Sequence, residues 1–254
     1  KAKSAPKRIE LAEGPDGKRI RAAHQRSEQG IAEPVLRGDE DTIARTVSEL
    51  GLSFRPEVVD PNDRDVSAYG EQLHELRKRK GVTRGEADQL VSRDTNYLAS
   101  AMVKAGDVDA MLTGLTHHYP SALRPPLEVV GSAAETDTVA GVYMLTFRDR
   151  VVFCADTTVT QDPDAETLAE ITRHTATLAR RFNVEPRAAV LSYSDFGSVD
   201  NERTRTPRDA VEILHGDDGV DFPVDGEMQA DTAVVDNILN GTYEFSELDE
   251  AANV

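Results

Sequence analysis

Two hydroxyl-rich strings have the residue types and spacing that suit a phosphate. GLTHHYPS follows the apolar segment DAMLTG and offers Thr116 and Ser121 as donors, with His117, His118 and Tyr119 between them. Loops at strand ends are where α/β sheets bind ligands. LSYSDFGS follows AAVL and sets Ser192, Ser194, Gly197 and Ser198 in a loop whose hydroxyls and backbone N–H groups could cradle phosphate; it reads equally as a tight polar strand-to-helix turn. His117 and His118 make a poor metal site, since adjacent residues point apart and no carboxylate or Cys spacing supports them. In VDGEMQAD, Asp225, Glu227 and Asp231 would suit acid/base work, or magnesium beside substrate phosphates, but they read better as a structural turn capping a helix after Asp231. The sequence contains neither GxGxxG nor GxxxxGK[ST], so nothing in it suggests a nicotinamide site or a triphosphate loop.

The elements that must position these loops alternate between short apolar or β-branched runs and longer segments of helical period, which is the α/β pattern. Strands are expected at Arg8–Leu11, Pro34–Leu36, Val58–Val59 and in DAMLTG, with helices over 16–29 and 40–50 and from Ser67 to a stop at Gly81. Thr83 with Glu86 three residues on has capping-box spacing and starts a further helix, and another covers 97–104. After a helix ending near Val130, GSAAETDT is small, polar and turn-forming, so a boundary is placed there: 1–135 as a first α/β domain and 136–254 as a second. The second half reads as strands VAGVYML and RVVFCAD, a long helix over 164–182 and the strand AAVLSYS. A helix over 208–214, a short strand over 222–224 and a helix after Asp231 complete it. DEAANV ends in an apolar pair that looks like the start of a strand, which predicts a second domain incomplete at its C-terminus.

Composition narrows the partners. Lys plus Arg total 29 against 46 Asp plus Glu, a formal charge of −17 that disfavours nucleic acid and anionic lipid surfaces. The bases are mostly Arg, and distributed acidity with little Lys suggests a protein kept soluble in concentrated salt, where screening removes its self-repulsion. No run approaches the ~18 apolar residues of a spanning helix, so no membrane partner is expected. The single cysteine, Cys154, sits in VVFCAD as a small hydrophobe, and a cytoplasmic location follows. The start, KAKSAPKRIELAEG, looks like the inside of a longer polypeptide.

ELRKRKG, NYLASAMVKAGDVDAMLTG, LRPPLEVV, LSYSDFGS and VDGEMQADTAVV occur in that order. Together they resemble the phosphate acetyl/butyryltransferase (phosphotransacetylase) family over nearly the whole chain. The wording HHYPSALRPPLEVVG followed by ETDTVAGVYML is closer to the transacetylase-like part of hybrid NADP-dependent malic enzymes, with a haloarchaeal source suggested by the acidity.

The resemblance implies two α/β domains with a ligand cleft between them, where coenzyme A and acyl phosphate meet, and a homo-oligomer, dimer or higher. It also implies that Arg77 in ELRKRKG and Arg124 in LRPP contact coenzyme A and phosphate. The plainer reading of Arg77 is that, with Lys78, Arg79 and Lys80, it complements the dipole of a helix ending at Gly81. Arg124 precedes Pro125, which suits the first helical position, so Arg124 is expected extended at a helix mouth; its plainer partner is Glu128. The family's proton acceptor and a neighbouring Ser-Arg pair lie in a far C-terminal segment that nothing here matches, so no catalytic residue is carried over.

The expectation is therefore a regulatory module that binds acetyl-CoA, or acetyl phosphate, and modulates the oxidative decarboxylation of malate by a covalently attached malic enzyme domain. NADP and a divalent metal belong on that upstream domain, with no cofactor in this chain. The alternatives are a phosphate acetyltransferase whose catalytic C-terminal segment is missing and a structural oligomerisation domain with a vacant cleft.

Overall fold

The computed structural model describes residues 2–60, 65–133, 136 and 138–254. The chain divides into two units, Lys1–Ser132 and Ala133–Val254. The break expected after residue 135 falls among 134, 135 and 137, which lie outside the described residues.

In the first unit β1 (Lys7–Leu11), β2 (Ala32–Arg37), β3 (Glu57–Val59) and β4 (Ala110–Leu112) form a parallel sheet in the order β3-β2-β1-β4. Ile9 on β1 stands opposite Pro34 on β2 and Ala110 on β4. Asp16 and Asp39 cap α1 (Gly17–Glu28) and α2 (Glu40–Glu49) by accepting first-turn N–H groups, which sets where each helix begins. These helices bury Ile20, Ala23, Ile43 and Val47 with Leu11 and Leu36. A second cluster, with Val35, Val59, Leu73, Val91, Leu98, Met102 and Val129, lies among α3 (Ser67–Arg77), α4 (Arg84–Arg93), α5 (Thr95–Ala105) and α6 (Tyr119–Val129). Each fully buried Leu, Ile or Val contributes about 1.5–3 kcal/mol.

A 3-10 turn over Lys78–Lys80 follows α3 and stops at Gly81, whose φ of +90° is left-handed. The Thr83–Glu86 capping box forms as its spacing predicts and launches α4. Gly14 passes so close to β2 that a Cβ there would lie 2.2 Å from the Arg37 carbonyl oxygen.

In the second unit β5 (Tyr143–Thr146) and β6 (Val151–Cys154) are antiparallel, while β7 (Ala188–Leu191) and β8 (Val224–Met228) are parallel. The C-terminal residues link the pairs. The Asn253 carbonyl accepts from Phe153 N at 2.8 Å and the Val254 carbonyl from Ala189 N at 3.0 Å, although the final residues do not form the strand expected of them. α7 (Ala165–Arg181) and α8 (Glu202–His215) pack Ala169, Ala210 and Leu214 against Val190 and Val224. α9 (Ala230–Val234) and α10 (Asp236–Thr242) bury Ala233 and Leu239 with Met228 and Leu248.

Three expectations for this unit need correction. α8 starts at Glu202 rather than near Arg208, because Asn201 and Thr204 form a capping box and Pro207 is carried inside the helix. The strand expected over 222–224 instead runs from Val224 to Met228, where the sequence VDGEM hides it behind two carboxylates. Gly226 makes it possible: at φ +143° it passes β7 so closely that a Cβ would lie 2.5 Å from the Val190 carbonyl oxygen. Asp231 does not cap a helix, since it lies in the first turn of α9 and Gln229 takes the cap position without a side-chain bond. Among the described residues no helix is long and apolar enough to cross a membrane.

Candidate functional site

In the first unit Arg77, at the end of α3, and Arg124, on α6, converge on one carboxylate. Arg124 Nε donates to Glu128 Oε1 at 2.9 Å, and the Arg77 guanidinium lies 3.3 Å from the same oxygen. The Tyr97 hydroxyl, from α5, donates to Glu128 Oε2. Burial raises the Glu128 carboxyl, but the hydrogen bonds from Tyr97 and Arg124 and the two positive charges outweigh it and hold the group below the ordinary range. Burial, and then the bond to that anion, push the Tyr97 phenol up to about 12. Glu128 therefore stays ionised beneath a pair of guanidiniums, one half-buried and the other 73% exposed.

The helix around Arg124 differs from the expected mouth. Pro120 takes the N-terminal position and α6 runs through Arg124, Pro125 and Pro126, so Arg124 sits mid-helix, where it meets Glu128 one turn on. Pro125 has no N–H for the Ser121 carbonyl. The Asn96 side-chain amide bonds that oxygen at 3.4 Å, while Asn96 Oδ1 accepts from Thr113 at 2.6 Å. A buried amide thus supplies the donor that the proline lacks. Ser121 is exposed in the first turn of α6, three residues before Arg124 and so on a neighbouring stretch of the same helix face.

Thr116 and His117 turn onto Glu13, just beyond β1. Glu13 Oε1 takes Thr116 N at 3.0 Å, Thr116 Oγ1 at 2.6 Å and His117 Nδ1 at 2.6 Å; Oε2 takes Leu115 N at 3.3 Å and pairs with Arg19. The hydroxyl expected to meet phosphate is thus committed to anchoring the loop after β4.

In the second unit the loop after β7 closes on Glu227, which is fully buried. Glu227 Oε1 accepts from Ser194 Oγ at 2.9 Å and Gly197 N at 2.8 Å, and Oε2 accepts from Arg208 Nε at 2.9 Å. Burial raises this carboxyl, yet the Gly197, Ser194 and Arg208 bonds bring it below its ordinary value. Ser198 Oγ lies 3.1 Å from Ser194 Oγ and accepts from Asp195 N, while Ser192 Oγ accepts from Ser194 N at 3.3 Å. Asp225 accepts from Ser246 Oγ and Gln229 donates to Asp195, so these acids have structural partners, but the string expected as a turn is strand β8 followed by the first turn of α9.

Sequence reasoning passed over Glu13, Tyr97 and Asp156. Asp156 accepts N–H bonds from Gly141, Thr158, Val159 and Thr160, at 2.7–3.1 Å, and these overcome burial to keep it ionised. A signal existed for it: an acidic residue before TTVT, whose N–H groups can fold back on it. Glu13 and Tyr97 act over separations of about a hundred and about thirty residues, which local spacing does not reveal.

Residues 1–254 match the family model described as phosphate acetyl/butaryl transferase. The chain is 33% identical to the NADP-dependent malic enzyme of Escherichia coli over 258 residues, covering 100% of this chain and 34% of that enzyme. It is 36% identical to the phosphate acetyltransferase of Clostridium acetobutylicum over 242 residues, covering 92% of this chain and 72% of that protein. Among solved structures it is similar to a phosphotransacetylase from Streptococcus pyogenes, with TM-score 0.89 and 29% identity, covering 99% of this chain and 77% of the other.

Proposed function

Because this chain belongs to the phosphate acetyl/butaryl transferase family, we propose that it is the phosphotransacetylase-like regulatory part of a malic enzyme, binding acetyl-CoA through Arg77 and Arg124. The observation that carries the reading is the pairing of those two arginines on Glu128, which presents adjacent guanidiniums near the surface. Two such forks can grip phosphate oxygens bidentately. Ser121, exposed on the same helix, adds a hydroxyl at the edge of the pair.

In this reading acetyl-CoA binds two states of the parent protein unequally, and that difference shifts the attached malic enzyme. The parent is a cytoplasmic homo-oligomer, with NADP and the divalent metal on its malic enzyme domain. The chain spans about a third of the length of the malic enzymes it matches, so that activity comes from the relatives alone.

The second reading is a phosphate acetyltransferase, favoured by the Clostridium relative, of which 72% is covered. The parent protein decides between them when assayed for NADP-dependent malate decarboxylation, with and without acetyl-CoA, and for acetyl phosphate formation. Malate decarboxylation that changes with acetyl-CoA, and loses that response in Arg124→Ala, supports the regulatory reading. Acetyl phosphate formation without malate turnover overturns it.

A further inference from the structure

The two guanidiniums proposed to meet acetyl-CoA already hold an anion. Arg124 Nε and the Arg77 guanidinium share Glu128 Oε1 at 2.9 and 3.3 Å, and the Tyr97 hydroxyl donates to Oε2. Burial opposes the charge on Glu128, but the bonds from Tyr97 and Arg124 and the two guanidinium charges keep it ionised. Two guanidiniums less one carboxylate leave the cluster a single positive charge, so an incoming phosphate meets an anion seated on both cations.

That seat is not a closed one. Arg124 meets Glu128 through Nε while its side chain is 73% exposed. Arg77 Nε is buried without a hydrogen-bond partner among the described residues, so its pairing with Glu128 leaves a strong donor unmet. An acceptor reaches that donor only when the guanidinium shifts. Phosphate oxygens are suited to draw it, because they can take two N–H groups of one fork at once.

We infer that Glu128 is an internal competitor for the ligand's phosphate: its carboxylate occupies the anion's place on Arg77 and Arg124, and binding is an exchange in which phosphate oxygens take the guanidiniums over. The inference rests on the reading that acetyl-CoA binds through these arginines, and adds how that binding is held in check. Arg77 ends α3, whereas Arg124 and Glu128 lie on α6, so the Arg77–Glu128 pair ties the two helices together. Phosphate that draws Arg77 away releases this tie, while Tyr97 keeps α5 on Glu128. Two states that differ in such a contact are what unequal binding of acetyl-CoA requires.

Glu128→Gln separates charge from shape. The amide oxygen still accepts from both arginines and the Tyr97 hydroxyl can accept from the amide nitrogen, but the competing charge is gone. Titration calorimetry of the parent protein with acetyl-CoA and inorganic phosphate tests the exchange, with circular dichroism as the folding control. Glu128→Gln should bind both probes about tenfold more tightly than the wild type, because a like charge has been removed from the site. Glu128→Ala, which lacks the same charge, should shift affinity in the same direction. Repulsion scales with ligand charge, so the gain for inorganic phosphate should be larger at pH 8, where it is mostly a dianion, than at pH 6, where it is mostly a monoanion. Unchanged or weaker binding in both folded variants, or a gain that does not grow with the charge on phosphate, overturns the inference. Arg124→Ala distinguishes this failure from that of the parent reading. If it weakens acetyl-CoA binding while neither Glu128 variant tightens it, the arginines bind the ligand and Glu128 only positions them. If it leaves acetyl-CoA binding unchanged, the binding reading falls and the exchange falls with it.

Discussion

Glu128 in the first unit gathers two arginines and a hydroxyl, and Glu227 in the second gathers one arginine and a hydroxyl, yet the two carboxylates sit in opposite settings. Glu227 has no exposed surface, and its partners form a closed set inside the loop after β7. Glu128 is partly exposed and holds guanidiniums that reach the surface. Hydroxyl-rich loops advertise phosphate binding in a sequence, but here the serine loop serves its own carboxylate. In the function proposed above, the ligand is met instead by cations on helices.

The sharpest break of the comparison is deletion of each carboxylate. Glu227→Ala leaves Arg208, Ser194 and Gly197 N without their buried acceptor and should cost about 3–5 kcal/mol of stability in urea unfolding. Glu128→Ala should cost about 1 kcal/mol, because its arginines can turn to water. Equal costs would remove the distinction drawn between the two sites.

A third carboxylate extends the comparison, since it has neither a closed set of partners nor an exposed face. Glu10 on β1 is fully buried and its oxygens have no hydrogen-bond partner among the described residues; burial pushes its carboxyl up to about 8 despite the charges of Arg37 and Arg19. The folded state therefore holds a proton that the unfolded state releases near pH 4.5, so stability falls as pH rises from about 4.5 to 8. Glu10→Gln should abolish that decline and gain on the order of a few kcal/mol over the wild type at pH 8 relative to pH 5. Parallel pH slopes for the two proteins would show that Glu10 ionises at its ordinary value.

Much of the first unit was legible because its signals are local. Thr83 with Glu86 caps α4 where its spacing predicts, the helices expected from about residues 16 and 40 begin there behind Asp16 and Asp39, and Gly81 and Gly106 end helical segments in left-handed conformation. β8 was misplaced because its buried acids are stabilised by partners distant in sequence, from Ser194 to Ser246. Arg124 was misplaced because prolines usually open a helix, whereas here Asn96 takes one carbonyl that Pro125 leaves free. Arg77 and Arg124 were picked out by resemblance, and their meeting on Glu128 required the packing of α3 beside α6.

A smaller effect concerns the whole surface. With 46 acidic against 29 basic side chains, self-repulsion should ease as screening shortens to about 3 Å at 1 M salt. The melting midpoint should climb by a few degrees from dilute buffer to molar KCl. A flat or falling midpoint would remove the case for salt adaptation.

The central claim, that helix-borne arginines rather than the serine loop receive the anionic ligand, is tested most directly by titrating acetyl-CoA into folded Arg124→Ala and Ser198→Ala proteins. Loss of one charge-assisted contact, about 1.5–3 kcal/mol, should weaken binding roughly ten- to a hundredfold in Arg124→Ala, with Ser198→Ala staying within about twofold of the wild type. Unchanged affinity in Arg124→Ala, with a tenfold loss in Ser198→Ala, would contradict the account.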